Sequence, residues 1–513
     1  MSRTKKTAKN TIVGLLCTSV SYLLSFVLRA LFIRLLGLEY AGVNTLFSDI
    51  LNILNLADLG FNNAILFRLY KTISDGDNRA TELYLTLYRK ICYAISLVVG
   101  VAGICLIPFL GNLISKAPSF SEPLWTIYII ILANSVINHV VNYKSVLLIA
   151  KQDRYISTII QYACVLLRNV LQILTLVLFE SIYFYLCVML VTTLLQGVVT
   201  GIVSKKRYGM SWRSKDKVPK EEAQSITKDV SSLSVYKICR TIDATIDTFL
   251  ISKFVDITVT AIYGSVTMIL NSLNEFLGVF NDRMIASVGD LNAEGDKDRL
   301  ENTFYKSIHF TFLMYGIITA TLVPFISAFC RLWIGHTLED TVIFIMLLNF
   351  LMYGLGMNVA TFRNSMGIFR KGWARPAITA ALNLLFSYYL IKKIGLIGTL
   401  IGTLIARTLT LVWYDPWLVL YIGMGKSPLK YYLRYVYYMF IAGIISGTLL
   451  LLGNVLPEIT SIFSLIWQGM LFFALAVVAF IAFGYIVPEQ KDILKLFTDM
   501  LKQFFYKIRR GRA

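Results

Sequence analysis

Four arginines, Arg29, Arg168, Arg240 and Arg407, stand inside long apolar stretches of the chain. A guanidinium is a fixed cation with its donors in a planar fork, a shape that grips phosphate or carboxylate. At the centre of a membrane helix each costs roughly 2.5–3.5 kcal/mol, so four together cost on the order of 10–14 kcal/mol and are tolerated mainly where the charge is used. Polar residues recur around them every three or four positions: Thr18, Ser21, Tyr22, Ser25 and Arg29; Ser48, Asn52, Asn55, Asp58 and Asn62; Tyr236, Arg240, Asp243 and Asp247; Thr267, Asn271, Asn274, Gly278 and Asn281, with Glu275 beside them. That spacing puts each set on one helical face. In a bilayer such a face must turn to protein or to a wet cavity. The expected chemistry is anion binding in a polar cleft, with Arg29, Arg168, Arg240, Arg407, Ser25, Asn52, Asn55, Tyr236, Asn271 and Asn274 as its lining. The acids Asp58, Asp243, Asp247 and Glu275 are candidates for coupling to Na⁺ or H⁺.

Each residue also has a plainer reading. The Asn and Ser stripes suit dry hydrogen bonds between helices. Arg240 has Asp243 and Asp247 within helical reach and could pair with either. Arg407 follows Gly398-x-x-x-Gly402-x-x-x-Ala406, a small-residue face for close helix packing, and could pair with an acid across helices. Arg168 shares a face with Gln161 and Gln172. Arg29 has no acid within helical reach, which leaves an anion or a distant partner, Asp49 or Asp58. His139 reads as a packing residue, and His309 and His336 fall near predicted helix ends. The sequence contains no His-Glu-x-x-His, no phosphate-binding glycine loop and no catalytic set, so no catalytic residue, metal or cofactor is expected.

The elements that position these residues are membrane helices. With 57% hydrophobic and 15% charged residues, the 513-residue chain has too little polar surface for a soluble protein of its size. Fourteen stretches are long enough to span: Thr11 to Leu36, Val43 to Leu69, Ile91 to Ser115, Leu124 to Ala150, Ile156 to Phe179, Ile182 to Ser204, Val230 to Phe254, Val259 to Val288, Ser307 to Cys330, Thr341 to Met366, Pro376 to Ile391, Leu396 to Ile422, Tyr435 to Leu456 and Ile462 to Val487. Glu180 and a turn at Lys392-Lys393 separate the two tightest pairs. Of the 49 Lys and Arg, 34 fall in alternate connecting segments and the termini, against 6 in the opposite loops. Basic residues stay on the cytoplasmic side, so both termini are expected there. The +19 charge is therefore largely topology, and nucleic acid is not an expected partner. No cleavable signal peptide is expected before the first span. The seven cysteines all fall in predicted helices and read as small apolar core residues.

A shift of about 220 residues superimposes the first six spans on the next six, carrying Ala41-Gly42-Val43 onto Ala261-Ile262-Tyr263 and Lys151 onto Lys371. Two lobes of like orientation follow, as in many alternating-access transporters. The expected organisation is an N-terminal lobe over 1–204, a basic cytoplasmic linker over 205–229, a C-terminal lobe over 230–434, two further helices over 435–487 and a basic tail over 488–513. The buried charges do not repeat: Arg29 maps to Phe249 and Arg168 to Tyr388.

A set of motifs carries a family likeness: Gly37-Leu38-x-Tyr40-x-Gly42, Ala57-Asp58-Leu59-Gly60, Ala261-Ile262-Tyr263-Gly264-Ser265, Ala286 through Gly295, Gly395 through Thr403 and Trp413-Tyr414-Asp415-Pro416. In order and spacing these resemble bacterial polysaccharide-export flippases of the Wzx type, in the superfamily that also holds the lipid II flippases and MATE exporters. The resemblance implies an all-α protein of the bacterial inner membrane, two six-helix lobes plus two helices, that turns over undecaprenyl-pyrophosphate-linked oligosaccharide by alternating access. It also implies a polysaccharide polymerase and assembly proteins as partners. A MATE-like cation or drug antiporter is the rival, because its cleft would use carboxylates such as Asp58, Asp243, Asp247 and Glu275. A membrane polymerase or glycosyltransferase would need a large extracytoplasmic loop, which the spacing of the spans does not leave.

Overall fold

The computed structural model describes residues 3–55, 61–210, 214, 238–368, 372, 374–495 and 498–499. Among them the regular structure is helical, without a strand. The chain falls into two compact units, Met1–Ser265 and Val266–Ala513, the division lying within one long helix.

The first unit contains α1 (Arg3–Leu36), α2 (Leu38–Leu54), α3 (Phe61–Ser74), α4 (Asn78–Leu106), α5 (Leu124–Asn142), α6 (Val146–Ala150), α7 (Arg154–Phe179), α8 (Ile182–Tyr208), α9 (238–254) and the start of α10 (Ile257–Glu294). Helix α1 packs along α7, α7 along α8, and α8 along α5. The expected break at Glu180 is present: α7 ends at Phe179, and Glu180 turns the chain in the left-handed region at φ 46°. Helices α1 and α2 meet at Gly37, whose φ of 99° suits a residue without Cβ. Gly42 then lets α2 meet the start of α10, since a Cβ there would lie 2.0 Å from the Ile257 carbonyl oxygen. Two glycines of one motif thus have two different physical reasons.

The second unit contains the rest of α10, then α11 (Lys297–Leu322), α12 (Ile326–Ile334), α13 (Asp340–Ser365), α14 (Arg375–Ile394), α15 (Leu396–Trp417), α16 (Leu429–Val455), α17 (Ile462–Gly484) and α18 (489–495). The α14–α15 hairpin is the tightest pairing. A Cβ on Gly398 would lie 2.3 Å from the Leu390 carbonyl oxygen, and one on Gly402 would lie 2.4 Å from the Ser387 nitrogen. Close backbone approach of this kind replaces the hydrophobic effect as the source of helix association in a lipid solvent. The turn lies at Gly395 (φ 62°) rather than at Lys392-Lys393, because α14 continues through both lysines to Ile394. After Pro416, which has no N–H to donate, α15 widens into a π-helical stretch over Leu418–Met424. Helix α18 is docked rather than loose. His309, fully buried on α11, lies 2.6 Å from Gln490 Oε1 and 3.1 Å from the Tyr438 hydroxyl, and Arg434 pairs with Glu489 at 2.9 Å.

Among the described residues nine helical segments are long and apolar enough to cross a membrane, or ten if α11 and α12, bent by 61° across Pro324, form one broken span. The remaining predicted spans fall on α2 with α3, on α9, on α10 and on α14. Three cysteines, Cys92, Cys164 and Cys330, are buried as expected, but Cys105 and Cys187 are exposed on the outer apolar surface and Cys239 is half-buried. A small apolar side chain suits lipid as well as protein, so residue type alone did not separate the two. The 205–229 linker lies mostly outside the described residues; its start is the last turn of α8.

Candidate functional site

Arg29 lies on α1 where α2 and the start of α10 meet. Its Nε donates to Ser265 Oγ at 3.0 Å, and its Nη2 donates to Thr45 Oγ1 at 3.2 Å and to the Ala261 carbonyl at 2.9 Å. The two hydroxyls are themselves back-bonded, Thr45 to the Ala41 carbonyl and Ser265 to the Ala261 carbonyl, each at 2.8 Å. Close approach is possible because Gly264 faces Thr45, where a Cβ would lie 2.8 Å from Cγ2. Among the described residues no carboxylate pairs with Arg29. Asp49, one of its two expected partners, instead accepts from Thr248 and from Asn52 at 3.4 Å. The other, Asp58, lies outside the described residues.

Arg168 stands at mid-length on α7, on the side turned from lipid. The outward side carries the exposed residues Leu167, Val170 and Leu174. The inward side is tied to its neighbours: Asn169, buried, donates to Ser25 Oγ at 3.4 Å, and Gln172, buried, donates to the Tyr185 carbonyl at 3.1 Å. Ser25 in turn donates to the Ser21 carbonyl at 2.8 Å. Tyr185, near the start of α8, packs edge-on against Phe32 at 4.8 Å, and its hydroxyl lies within electrostatic range of both Arg29 and Arg168. Arg168 makes no hydrogen bond or ion pair with a described residue. The Tyr185 hydroxyl thus lies within electrostatic range of two guanidinium groups inside the first unit, and no carboxylate among the described residues pairs with either. Uncompensated charge at this depth is costly, so the arrangement suits an anion that brings the missing negative charge.

The other expected residues scatter. Asn55, capping α2, accepts through Oδ1 from Ser135 Oγ at 2.5 Å and lies 2.9 Å from His139 Nε2, so it is tied to α5. Asn52 is exposed. On α9, Arg240 is exposed and Asp243 half-buried, while Asp247 is buried and accepts from the Tyr263 hydroxyl at 3.2 Å. Tyr236 lies outside the described residues. In the second unit Arg407 donates to Asn349 Oδ1 at 3.2 Å and lies 5.9 Å from the Tyr353 ring. Asn271 and Glu275 on α10 are exposed, and Asn274 is half-buried with its Oδ1 unpartnered among the described residues. No group of three His, Cys, Asp or Glu able to hold a metal occurs among the described residues.

Three functional neighbours escaped the sequence reading: Tyr185, Thr45 and Ser265. The last two had a signal, because the 220-residue shift carries Ala41-x-x-x-Thr45 onto Ala261-x-x-x-Ser265. Arg29 is thus held between two hydroxyls, 220 positions apart, that are back-bonded in the same way. Tyr185 had none, being one tyrosine among 29.

The fold has known counterparts. A lipid II flippase, MurJ, in an inward closed conformation superimposes with a TM-score of 0.70 at 12% identity, covering 94% of this chain and 100% of that one. A multidrug resistance MATE family transporter of the MOP superfamily in an inward-facing conformation gives 0.61 at 16% identity, over 78% of this chain and 96% of its own. A MOP superfamily transporter from Pyrococcus furiosus, described as having a binding pocket of reverse polarity, gives 0.55 at 16% identity, over 82% and 97%. No curated protein sequence matches the chain. A family model described as polysaccharide biosynthesis protein matches residues 7–285, more than half of the length, and the chain accordingly belongs to that family, built on the fold of the MOP superfamily exporters.

Proposed function

We propose that this protein is a flippase that carries undecaprenyl-pyrophosphate-linked oligosaccharide repeat units across the bacterial inner membrane for surface polysaccharide synthesis. The observation that carries the reading is the pair Arg29 and Arg168 near Tyr185, on apolar helices long enough to span and without a carboxylate partner among the described residues. A pyrophosphate headgroup supplies the negative charge that this arrangement lacks, and a guanidinium fork matches its oxygens. Alternating access of two lobes, 1–204 and 230–434, would expose the headgroup first to one side and then to the other. Moving one negative charge out of an inside-negative cell is favourable by about 2.3 kcal/mol per 100 mV, so the potential can contribute to the drive. Coupling to Na⁺ or H⁺ would fall to Asp58, Asp243, Asp247 or Glu275.

A cation exporter is favoured by a different observation, the buried Asp247 on α9. That carboxylate already accepts from Tyr263, and Asp49 from Thr248 and Asn52, which leaves both less available to an organic cation.

The test is reconstitution. Proteoliposomes containing the full chain should move a fluorescent polyprenyl-pyrophosphate glycan to the opposite leaflet faster than protein-free vesicles, and should not accumulate an organic cation. The reverse pattern would establish the rival. Orientation is tested separately: reporters near Ser214 and after Arg512 should both read cytoplasmic, and one in the 117–123 loop should read external.

A further inference from the structure

We infer that Arg168 and Tyr185, rather than Arg29, make the direct contact with the phosphate of the transported headgroup, and that Arg29 is a positioning residue that fastens α1 to α2 and α10. The inference rests on the flippase reading and assigns roles within its site. Arg29 has two of its three guanidinium nitrogens committed to Thr45, Ser265 and the Ala261 carbonyl, acceptors on two other helices. The two hydroxyls among those acceptors are self-supported by back-bonding, as befits a structural socket. A phosphate drawing Arg29 away would have to match three existing hydrogen bonds before gaining anything.

Arg168 has no such commitment among the described residues. The segment that carries it is nonetheless fixed in place, by Asn169 to Ser25 on one neighbour and by Gln172 to Tyr185 on the other. A held backbone with uncommitted donors is the form that preorganised binding takes, since little reorganisation is needed when the anion arrives. Tyr185 adds a hydroxyl that can donate to an anion, and it lies within electrostatic range of both guanidinium groups. The fixed charge of Arg29 then acts on the anion through space while its donors stay bound.

The roles separate by experiment on the full-length protein in lipid nanodiscs, with farnesyl pyrophosphate as probe and farnesol as the uncharged control. Arg168→Gln should weaken pyrophosphate binding at least tenfold with an unchanged melting temperature, Arg168→Lys should recover part of it, and Tyr185→Phe should cost a few-fold. Arg29→Gln should lower the melting temperature and membrane abundance, with Arg29→Lys restoring both in part. Binding within twofold of the parent in Arg168→Gln, together with loss of binding in a stable Arg29→Gln, would overturn the assignment and leave the flippase reading intact. A parent protein that binds farnesyl pyrophosphate no better than farnesol would instead count against the flippase reading itself.

Discussion

The loops that follow α6 and α13 are related by the 220-residue shift, and each is fastened by a carboxylate, but with opposite polarity. In the first unit the acid is on the loop: Asp153 Oδ2 accepts from the Tyr208 hydroxyl at 2.5 Å and from Arg207 Nε and Nη2 at 2.9 Å, both at the end of α8. In the second unit the acid is on the later helix. Asp415 on α15 accepts from Arg363 Nη1 at 3.0 and 3.1 Å and from Arg375 Nη2 at 3.0 Å, arginines on either side of the loop. Depth differs as well. The Arg207 side chain is 46% exposed, whereas Asp415 is 0%, Arg363 2% and Arg375 11% exposed. Positions related by the shift thus both carry a tie, with the charge on opposite partners, and depth decides how much each tie is worth.

The deep tie should give the largest effect. Asp415→Ala strands two arginines away from water, and breaking a buried ion pair in this one-sided way costs about 3–5 kcal/mol. Membrane abundance and melting temperature of the purified protein should both fall sharply. Replacing Arg363 and Arg375 by Met in the same chain should recover much of the loss, because an apolar set of similar volume leaves no stranded charge. A triple variant no better than Asp415→Ala would show that Asp415 does something besides neutralise these arginines.

That node also marks where the sequence was legible. Trp413-Tyr414-Asp415-Pro416 stood out as a motif, yet its mechanism was hidden, since Arg363 lies 52 positions away and reads like one more basic residue near a helix end. Local signals did better: the break at Glu180 and the small-residue face from Gly398 depend on residues within a few positions of one another. Hydropathy locates the helices but misses the bend of 61° between α11 and α12, which falls inside the single span expected over Ser307 to Cys330. The site shows the same division. Arg29 and Arg168 stand out because charge in an apolar run is conspicuous, while Tyr185, within electrostatic range of both, is apolar enough to pass for packing.

The shallow tie should cost less at its acid. Asp153→Ala leaves the part-buried Tyr208 hydroxyl and Arg207 without their acceptor, a loss of about 1–3 kcal/mol. The check is the melting temperature of Asp153→Ala measured beside that of Asp415→Ala. Equal losses would mean that the two ties are energetically alike despite their depths. Gln152, whose φ of 63° places a residue with a Cβ in the left-handed region, offers a control in the same loop. Gln152→Gly relieves that strain without touching the tie and should leave the melting temperature unchanged or raise it.

The smallest effect belongs to Arg207, and it should be distinguished by salt more than by size. A half-exposed guanidinium is well solvated when unpaired, so Arg207→Ala should lower the melting temperature only slightly, with Tyr208 still donating to Asp153. Screening grows as the Debye length shrinks from about 30 Å at 0.01 M to about 3 Å at 1 M. The difference between Arg207→Ala and the parent should therefore narrow across that range. The Asp415→Ala deficit should stay constant, because mobile ions do not enter a node whose members are almost wholly covered. A salt-independent loss in Arg207→Ala as large as that of Asp415→Ala would remove depth as the explanation. The polarity of the tie, acid on the loop or acid on the helix, would then be the feature that matters.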